Sequence, residues 1–552
     1  MRIHDSGRSE RLAALGSRAF DLLVIGGGIT GCGIARDAAL RGLSVALVEK
    51  DDFASGTSSR SSRLVHGGVR YLEHGHIHLV FESSAERRRL LRIAPHLVRP
   101  LLFTWPVYAG ARIPRWKLDA GLTLYDALAL FQNVKGHRRL TSTGVLANEP
   151  MLRADGLVGG AAYFDAATND ARLTLANALS AMSAGAIVLN HAGVTALNME
   201  NGRIAGATVR DALTGGCADV RAAVVVNATG PWSDQIRRLD SPLTRDRSTT
   251  PAVRGSKGAH IAVARERIGN VSAVTLVSPR DGRVMFVLPA ESQTVIGTTD
   301  TYTSSSPDDV RATNDDVQYL VDSANAFFPA ARLRPDDVVS AWAGIRPLLP
   351  TAGDTPGNAS REHAIATSPS GLISVTGGKL TTYRVMAADV VHVVFRRLGR
   401  AGAPNRAKSL PLYGGDFASL DTVTTAAMDA TNDVALAAHL VASYGSGWTD
   451  AWREMASAEG RAPVEAGLPY TFGELRYCMR AEMAETLGDL LIRRTQLAFA
   501  TSDHGVGAAA RVAATLDVDP ELRRAILSRY TDEVERIFSV ETEATAAAAL
   551  IG

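Results

Sequence analysis

Apolar positions near the start of the chain fall into two short unbroken runs, Leu22-Leu23-Val24-Ile25 and Val45-Ala46-Leu47-Val48. Between them Ile29 and Ile34 alternate with small residues (Cys32, Gly33, Ala35, Ala38, Ala39), and Arg41-Gly42 ends the stretch. Short apolar runs bounded by turn residues predict buried strands, and the small-residue stretch predicts a helix lying close against them. The pattern then repeats. Residues 172–185 predict a helix and 186–189 a strand, and 194–199 with 204–209 predict a hairpin across Asn201-Gly202. A further apolar strand runs into Asn227-Ala228-Thr229-Gly230. Over 271–300 three alternating runs separated by turns predict an antiparallel sheet, and 374–378 predict a strand and glycine pair ahead of a helix over 380–397. Residues 404–415 read as a turn-rich connector. From 430 onward Ala, Leu, Arg and Glu recur at helical period, with Asp519-Pro520 as a helix start.

Two segments read less simply. From Ile77 to Leu97 apolar residues recur at helical spacing, with Glu82, Glu86, Arg87, Arg88 and Arg89 expected on the solvent side. Over 112–131, Arg112, Arg115, Trp116 and Lys117 lead into an apolar helix, either a packed core helix or a membrane-surface segment.

The first strand–helix–strand unit carries chemistry. Gly26, Gly28 and Gly31 follow the first strand as G-x-G-x-x-G, and Glu49 ends the second. The first glycine permits a tight turn, the second lets a diphosphate approach backbone N–H groups, and the third lets helix and strand touch. The helix N-terminus attracts the diphosphate, and Glu49 suits the hydroxyls of an adenosine ribose. This predicts a dinucleotide site, with NAD and FAD equally suited and NADP disfavoured. The polar loop 51–70 follows at the carboxyl edge of the sheet, where ligands of open α/β folds bind. Within it His66-Gly67-Gly68 suits a flat ligand, and Arg70 beside Tyr71 suits an anion. Ala228-Thr229-Gly230 and Gly377-Gly378 are further small-residue strand ends, and Lys257-Gly258-Ala259-His260 places a histidine at the start of a strand.

Composition removes whole classes. Across 552 residues the net charge is +2, with 46% hydrophobic residues, so a disordered chain and a nucleic-acid surface are both disfavoured. Three scattered cysteines, Cys32, Cys217 and Cys478, have neither metal spacing nor a disulfide framework, and no metal site is expected. Residues 1–20 carry four arginines and no apolar core, unlike a signal peptide, and no apolar window is long enough to span a bilayer.

The segments VIGGGITGCGIARDAALRGLSVALVEKDDFASGTSS, SSRLVHGGVRYLEHG, NATGPW, KGAHI, GTTD, AGIRPL and GGKLTTYR, in that order, resemble the FAD-dependent glycerol-3-phosphate dehydrogenases, most nearly the bacterial aerobic type. They extend over about residues 20–385, and the helical stretch 480–497 looks like that family's cap domain. The resemblance implies an α/β fold: a Rossmann-like FAD-binding domain (about 18–70, 150–235 and 340–400) interleaved with an antiparallel β-sheet substrate domain (about 71–149 and 236–339), followed by a C-terminal all-helical domain over 401–552. It implies FAD as cofactor, held by Gly26, Gly28, Gly31, Glu49, Lys50, Thr57, Ser58, Ser61, Ser62, Leu64, His66, Val194, Ala228, Gly230, Gly378, Lys379, Leu380 and Thr381. Arg70, Tyr71, Arg346, Arg361 and Lys379 would surround the substrate, with His260 beside the reacting carbon. Arg361 rests on spacing after Arg346 rather than on a motif, and Arg63 stands where many relatives carry lysine.

The implied reaction oxidises sn-glycerol 3-phosphate to dihydroxyacetone phosphate by hydride transfer from C2 to flavin N5, with electrons passed to a membrane quinone. His260 is the expected base, Arg346 the stabiliser of the developing alkoxide, and Lys379 serves the substrate or the reduced flavin. The implied protein is cytoplasmic and peripherally attached to the inner face of the cell membrane, with a homodimer compatible with the resemblance. An oxidase passing electrons to oxygen is the alternative acceptor reading, and a non-catalytic FAD-binding protein the alternative from another class.

Overall fold

The computed structural model describes residues 7–244, 251–350 and 361–541. Two sheets organise them. The smaller has eight strands, in the order His363–Thr367, Ile373–Gly377, Cys217–Asn227, Ala19–Ile25, Val45–Val48 and Ile187–Leu189. The hairpin Ala192–Glu200 and Arg203–Asp211 extends from Cys217–Asn227. Ala19–Ile25 runs parallel to Cys217–Asn227 and Val45–Val48, pairing Ile25 with both Asn227 and Val48, so these strands end side by side at one edge. The predicted hairpin turn forms at Asn201 and Gly202, both at positive φ (51° and 75°).

Alternation along the first strand feeds two cores. Leu22 and Val24 pack with helices Ile29–Leu40 and Tyr383–Arg397, while Leu23 and Ile25 face Leu15 and the hairpin residues Leu197, Ile204 and Val209. All three of Leu22, Leu23 and Val24 are fully buried, which stabilises by about 1.5–3 kcal/mol per side chain.

The larger sheet has ten strands. Arg254–Ala264 pairs antiparallel with Gln293–Gly297 and Val338–Leu348, and the three strands predicted over 271–300 form as Ala273–Val277, Val284–Ala290 and Gln293–Gly297. His260 sits within Arg254–Ala264, opposite Gly297 and Trp342, rather than at the start of a strand. Leu157–Thr168 and Val338–Leu348 also hydrogen-bond in this sheet, although the sequence boundaries put both segments with the nucleotide unit. They are long strands that reach the second sheet before the chain crosses back.

The helix predicted from residue 77 forms as Ile77–Ile93, but Glu86 and Arg87 do not face solvent. Arg87 pairs with Asp165 and Tyr125, and Arg384 donates to Glu86 at 3.0 and 3.2 Å. Charge alone suggested the outer face, and partners on distant segments let the pair be buried. Arg115–Leu128 packs one face into the core, as the core-helix reading expects. Leu118, Leu122 and Tyr125 are buried, while Trp116 and Phe131 are 73% and 74% exposed.

The C-terminal segment is helical, and Asp519 caps Pro520–Phe538 by accepting from Glu521 N and Leu522 N at 2.9 and 2.8 Å. Its attachment is ionic as well as apolar. Asp52, just after the second strand, is fully buried and accepts from Arg493 at 2.7 Å and from Arg494 at 2.6 and 3.0 Å. No helix among the described residues is long and apolar enough to cross a membrane.

Candidate active site

The glycine motif stands where the parallel strands end. A Cβ on Gly31 would lie 1.9 Å from the Gly26 carbonyl oxygen, so turn and helix touch there. Gly28 precedes helix Ile29–Leu40 in an extended conformation with no side-chain cap of its own, and Ser58 Oγ accepts from Ile29 N at 3.0 Å. The remaining N–H groups of the first turn open onto a cavity of about 230 Å³ lined by Gly26, Gly28, Glu49, Val194, Ala228 and Gly230. Glu49 Oε2 accepts from Gly27 N at 2.6 Å and Oε1 from Asp51 N at 2.9 Å, leaving lone pairs for a ribose. Burial, with Asp51 adding to it, raises its carboxyl to about 7. Lys50 lines the cavity too, but its ammonium is engaged by Asp308 at 2.5 Å and lies 4.6 Å over the Trp232 ring.

A second cavity, of about 250 Å³, continues from the first. Ile29, Thr57, Ser58, Gly378, Lys379 and Leu380 line both, which gives an elongated space suited to a dinucleotide carrying a flat ring. Thr57 Oγ1 donates to Ile345 O at 2.6 Å, fixing the loop to the larger sheet. Ser61 lines the second cavity but its hydroxyl donates to Asp170 at 2.7 Å, so it anchors the loop to helix Asp170–Ser183. Leu64 and His66 line the second cavity as well, and Thr381 holds His66 by a backbone hydrogen bond of 3.2 Å to its hydroxyl. Burial lowers the His66 imidazole to about 4, so it is neutral.

This second cavity gathers cations from four separate segments: Arg70, Arg346, Arg361 and Lys379. Burial pushes the Tyr71 phenol up, yet Lys379, Arg361, Arg70 and Arg346 together bring it below its ordinary value. Lys379 Nζ lies 4.6 Å over the Tyr71 ring and has no hydrogen-bond partner among the described residues. Burial also lowers its pKa. Arg346 is fixed from several sides, by Asp300 at 3.0 Å, Thr298 Oγ1 at 2.9 Å and the Thr299 carbonyl at 3.3 Å. Burial lowers its pKa to about 10. Arg361, the residue that rested on spacing, reaches the same carboxylate, 3.5 Å from Asp300.

His260 stacks on Trp342 with ring centroids 5.6 Å apart and planes 12° apart. Burial, then Arg346 and Arg63, lower it to about 3, so the imidazole is neutral. Arg63 donates to Gln496 at 2.7 Å and lies 4.8 Å over Phe499, outside the second cavity.

Sequence reasoning missed Asp300, which organises both Arg346 and Arg361, and Arg283, which lines the cavity from the turn before strand Val284–Ala290. Asp300 stands in the GTTD segment, but an isolated acid after a strand gave no signal of two arginines arriving from residues 346 and 361. A further cluster, Asp52, His191 and Asp489, brings three ligand-type groups within 4.8 Å of one another. Arg493, Arg494 and His191 already neutralise its carboxylates, so it is an ion-pair network.

The residues present fit a bound FAD: Gly26 and Gly31 leave no room for a Cβ, the helix start has free N–H groups, and the first cavity adjoins the one that holds the cation cluster. Comparison with known proteins agrees. The model for FAD dependent oxidoreductases matches residues 21–384, and that for the C-terminal domain of alpha-glycerophosphate oxidase matches 405–525. The chain is 40% identical over 519 residues to the glycerol-3-phosphate dehydrogenase 2 of Mycobacterium bovis, spanning 92% of this chain and 86% of the relative. It is 39% identical over 516 residues to the glycerol-3-phosphate dehydrogenase of Synechocystis, spanning 90% and 92%. The crystal structure of the glycerol-3-phosphate dehydrogenase from Bacillus halodurans complexed with FAD superposes with a TM-score of 0.79 at 32% identity, covering 98% of this chain and all of that one. An FAD-bound L-alpha-glycerophosphate oxidase from Mycoplasma pneumoniae shares the fold at 18% identity and a TM-score of 0.53. By fold, cofactor cradle and these likenesses over nearly its whole length, the chain belongs to the FAD-dependent oxidoreductases, within the family of the FAD-dependent glycerol-3-phosphate dehydrogenases.

Proposed function

We propose that this chain oxidises sn-glycerol 3-phosphate to dihydroxyacetone phosphate and passes the electrons to a membrane quinone. The observation that carries the reading is the convergence of Arg70, Arg346, Arg361 and Lys379 around Tyr71, in the cavity that adjoins the dinucleotide cradle and also holds neutral His260. A small phosphate dianion needs several cations fixed in advance, and the planar guanidinium fork binds phosphate by two hydrogen bonds. FAD, when bound, supplies the acceptor for the C2 hydride. The chain's own residues do the rest: the cations orient the substrate, His260 takes the C2 hydroxyl proton, and Arg346 stabilises the developing alkoxide. In this reading the smaller sheet is the FAD-binding domain, the larger the substrate domain, and residues 401–552 the C-terminal helical domain.

Anaerobic titration of the purified flavoprotein with sn-glycerol 3-phosphate tests the reaction. Bleaching of the flavin, reversed quickly by a soluble quinone and slowly by air, is expected. Fast recovery in air with peroxide would replace the quinone by oxygen as acceptor, and no bleaching would remove the substrate assignment. His260→Ala is expected to slow flavin reduction by about 10²–10⁴-fold while FAD stays bound. A near-normal rate would refute His260 as the base.

A quinone acceptor lies in the bilayer, and exposed Trp116 at the start of helix Arg115–Leu128, next in sequence to Lys117, with exposed Leu130 and Phe131 past its other end, suits attachment to an anionic membrane surface from one side, although Arg112 and Lys117 also pair with Glu73. The cytoplasmic leaflet is the face this reading assigns. Charge reversal at Arg112, Arg115 and Lys117 is expected to move the protein from the membrane pellet to the supernatant after a moderate-salt wash. Unchanged sedimentation would place the contact elsewhere.

A further inference from the structure

Three side chains from three separate segments meet beside Glu49. Lys50 follows the strand Val45–Val48, Trp232 follows Cys217–Asn227, and both line the first cavity. In the smaller sheet these two strands lie on either side of Ala19–Ile25, the strand that runs into Gly26. Their side chains nevertheless meet, with Lys50 Nζ 4.6 Å over the Trp232 ring. The third side chain comes from the other sheet. Asp308 lies in the loop between Thr301–Tyr302, a strand of the larger sheet, and helix Asn314–Asn325. Its Oδ1 accepts from Lys50 Nζ at 2.5 Å and from Trp232 Nε1 at 3.0 Å.

Each member is held from behind. The Trp232 ring lies close against the backbone of Gly56, where an added Cβ would be 2.7 Å from it. Gly56 precedes Thr57 and Ser58, which line the same cavity. Asp308 N donates to Ser306 Oγ at 3.3 Å, and two residues further on Val310 is buried in the core of the larger sheet. Lys50 has a second acid in reach, Asp51 at 3.9 Å. That acid is its own neighbour in the chain and cannot fasten it to the larger sheet. Burial raises the Asp308 carboxyl, but Lys50, Trp232 and Arg536 outweigh it and hold the group below its ordinary value, so it is ionised at neutral pH. A cation shared between a carboxylate and an indole face is attracted by both.

We propose that Asp308 is a positioning residue for the cofactor: reaching across from the larger sheet, it holds Lys50 and Trp232 as the wall of the FAD cavity beside Glu49, and so sets how fast FAD leaves. Asp308 itself lines neither cavity, so it acts only through the two side chains it holds. Without it, Lys50 can turn to Asp51, and the indole N–H loses the acceptor it has among the described residues. The wall then moves as two independent side chains, and the cavity opens on that side.

FAD release tests this without substrate, so the outcome is independent of the reaction assigned above. Holoprotein is diluted and filtered at intervals, and the flavin absorbance left on the protein gives the release rate. Asp308→Ala is expected to release FAD about three- to tenfold faster than the parent. The Lys50 and Asp308 side chains are 38% and 37% exposed, so salt reaches the pair, and the difference should narrow at high salt. Asp308→Asn keeps the size of the side chain and an acceptor for the indole N–H without the charge, and is expected between the two rates. Asp309→Ala, at the exposed next position, should release FAD at the parent's rate. In a Lys50→Met background the effect of Asp308→Ala should fall to about twofold or less, because the partner it acts through is gone. Equal release from Asp308→Ala and the parent would overturn the proposal. So would an undiminished effect in the Lys50→Met background, which would mean that the loop acts through packing and not through the wall.

Discussion

Gly31→Ala is expected to yield a protein that purifies with less FAD than the parent. The added methyl would sit 1.9 Å from the Gly26 carbonyl oxygen and 3.0 Å from its carbon, and both are backbone atoms that no rotamer change can move. Gly26 cannot yield easily either, because it turns the chain at φ 112° with its own missing side chain 2.7 Å from the Ala228 carbonyl oxygen. Helix Ile29–Leu40 must therefore shift away from the strand ends, carrying its first-turn N–H groups out of reach of the diphosphate. Overpacking of this kind costs about 1–3 kcal/mol even where side chains can adjust, and affinity falls tenfold for every ~1.4 kcal/mol. A loss of about 5- to 100-fold in FAD affinity is expected. The ratio of flavin absorbance to protein, and calorimetric titration with FAD, measure it. Gly121→Ala serves as the control, since a methyl there meets nothing within 4 Å. A yellow, stoichiometric Gly31→Ala protein would refute the close contact.

Asp52→Leu is expected to destabilise the protein by about 3–5 kcal/mol, because it removes one member of a buried ionic network and leaves the others charged. Asp52 holds Arg493 and Arg494 and accepts from Asn190 at 2.8 Å. Arg493 keeps Asp489 and Glu533 at 2.7 Å each, but Arg494 is left with the carbonyl oxygens of Glu482 and Met483. The pairing joins the loop after the second strand to the segment Asp489–Arg494, so the C-terminal helices should loosen first, at a lower melting temperature than the parent. Pairing Asp52→Leu with Arg494→Leu should cost less than the two single changes together. The pH dependence has a defined sign. Burial raises the Asp52 carboxyl, but Arg494 and Arg493 outweigh it and hold the group below its ordinary value, and Asp489 is held lower still. Their stabilisation is complete above the unfolded carboxylate range and is lost as the pH falls through the folded values. The difference in melting temperature between parent and Asp52→Leu should therefore shrink toward acid pH. A constant difference would mean that packing rather than charge fastens the two parts.

The sequence alone determined what depends on neighbours along the chain. Apolar runs, small residues and glycines at fixed spacing placed the first strand–helix–strand unit, because strand burial, turn geometry and helix contact are all decided within about 30 residues. Asn201-Gly202 gave its hairpin and Asp519-Pro520 its helix start for the same local reason. Tertiary structure decided whatever needed a partner from far away. Glu86 and Arg87 looked like solvent-facing charges until Arg384 and Asp165 came to them across the fold. Asp300 gained its part only when Arg346 and Arg361 converged on it, and the Ser62 hydroxyl met the His260 ring, at 2.9 Å, only through the strand Arg254–Ala264. A charge or hydroxyl carries no mark of its partner in the sequence, since the energy of an ion pair or hydrogen bond depends on distance and burial that long-range packing alone sets.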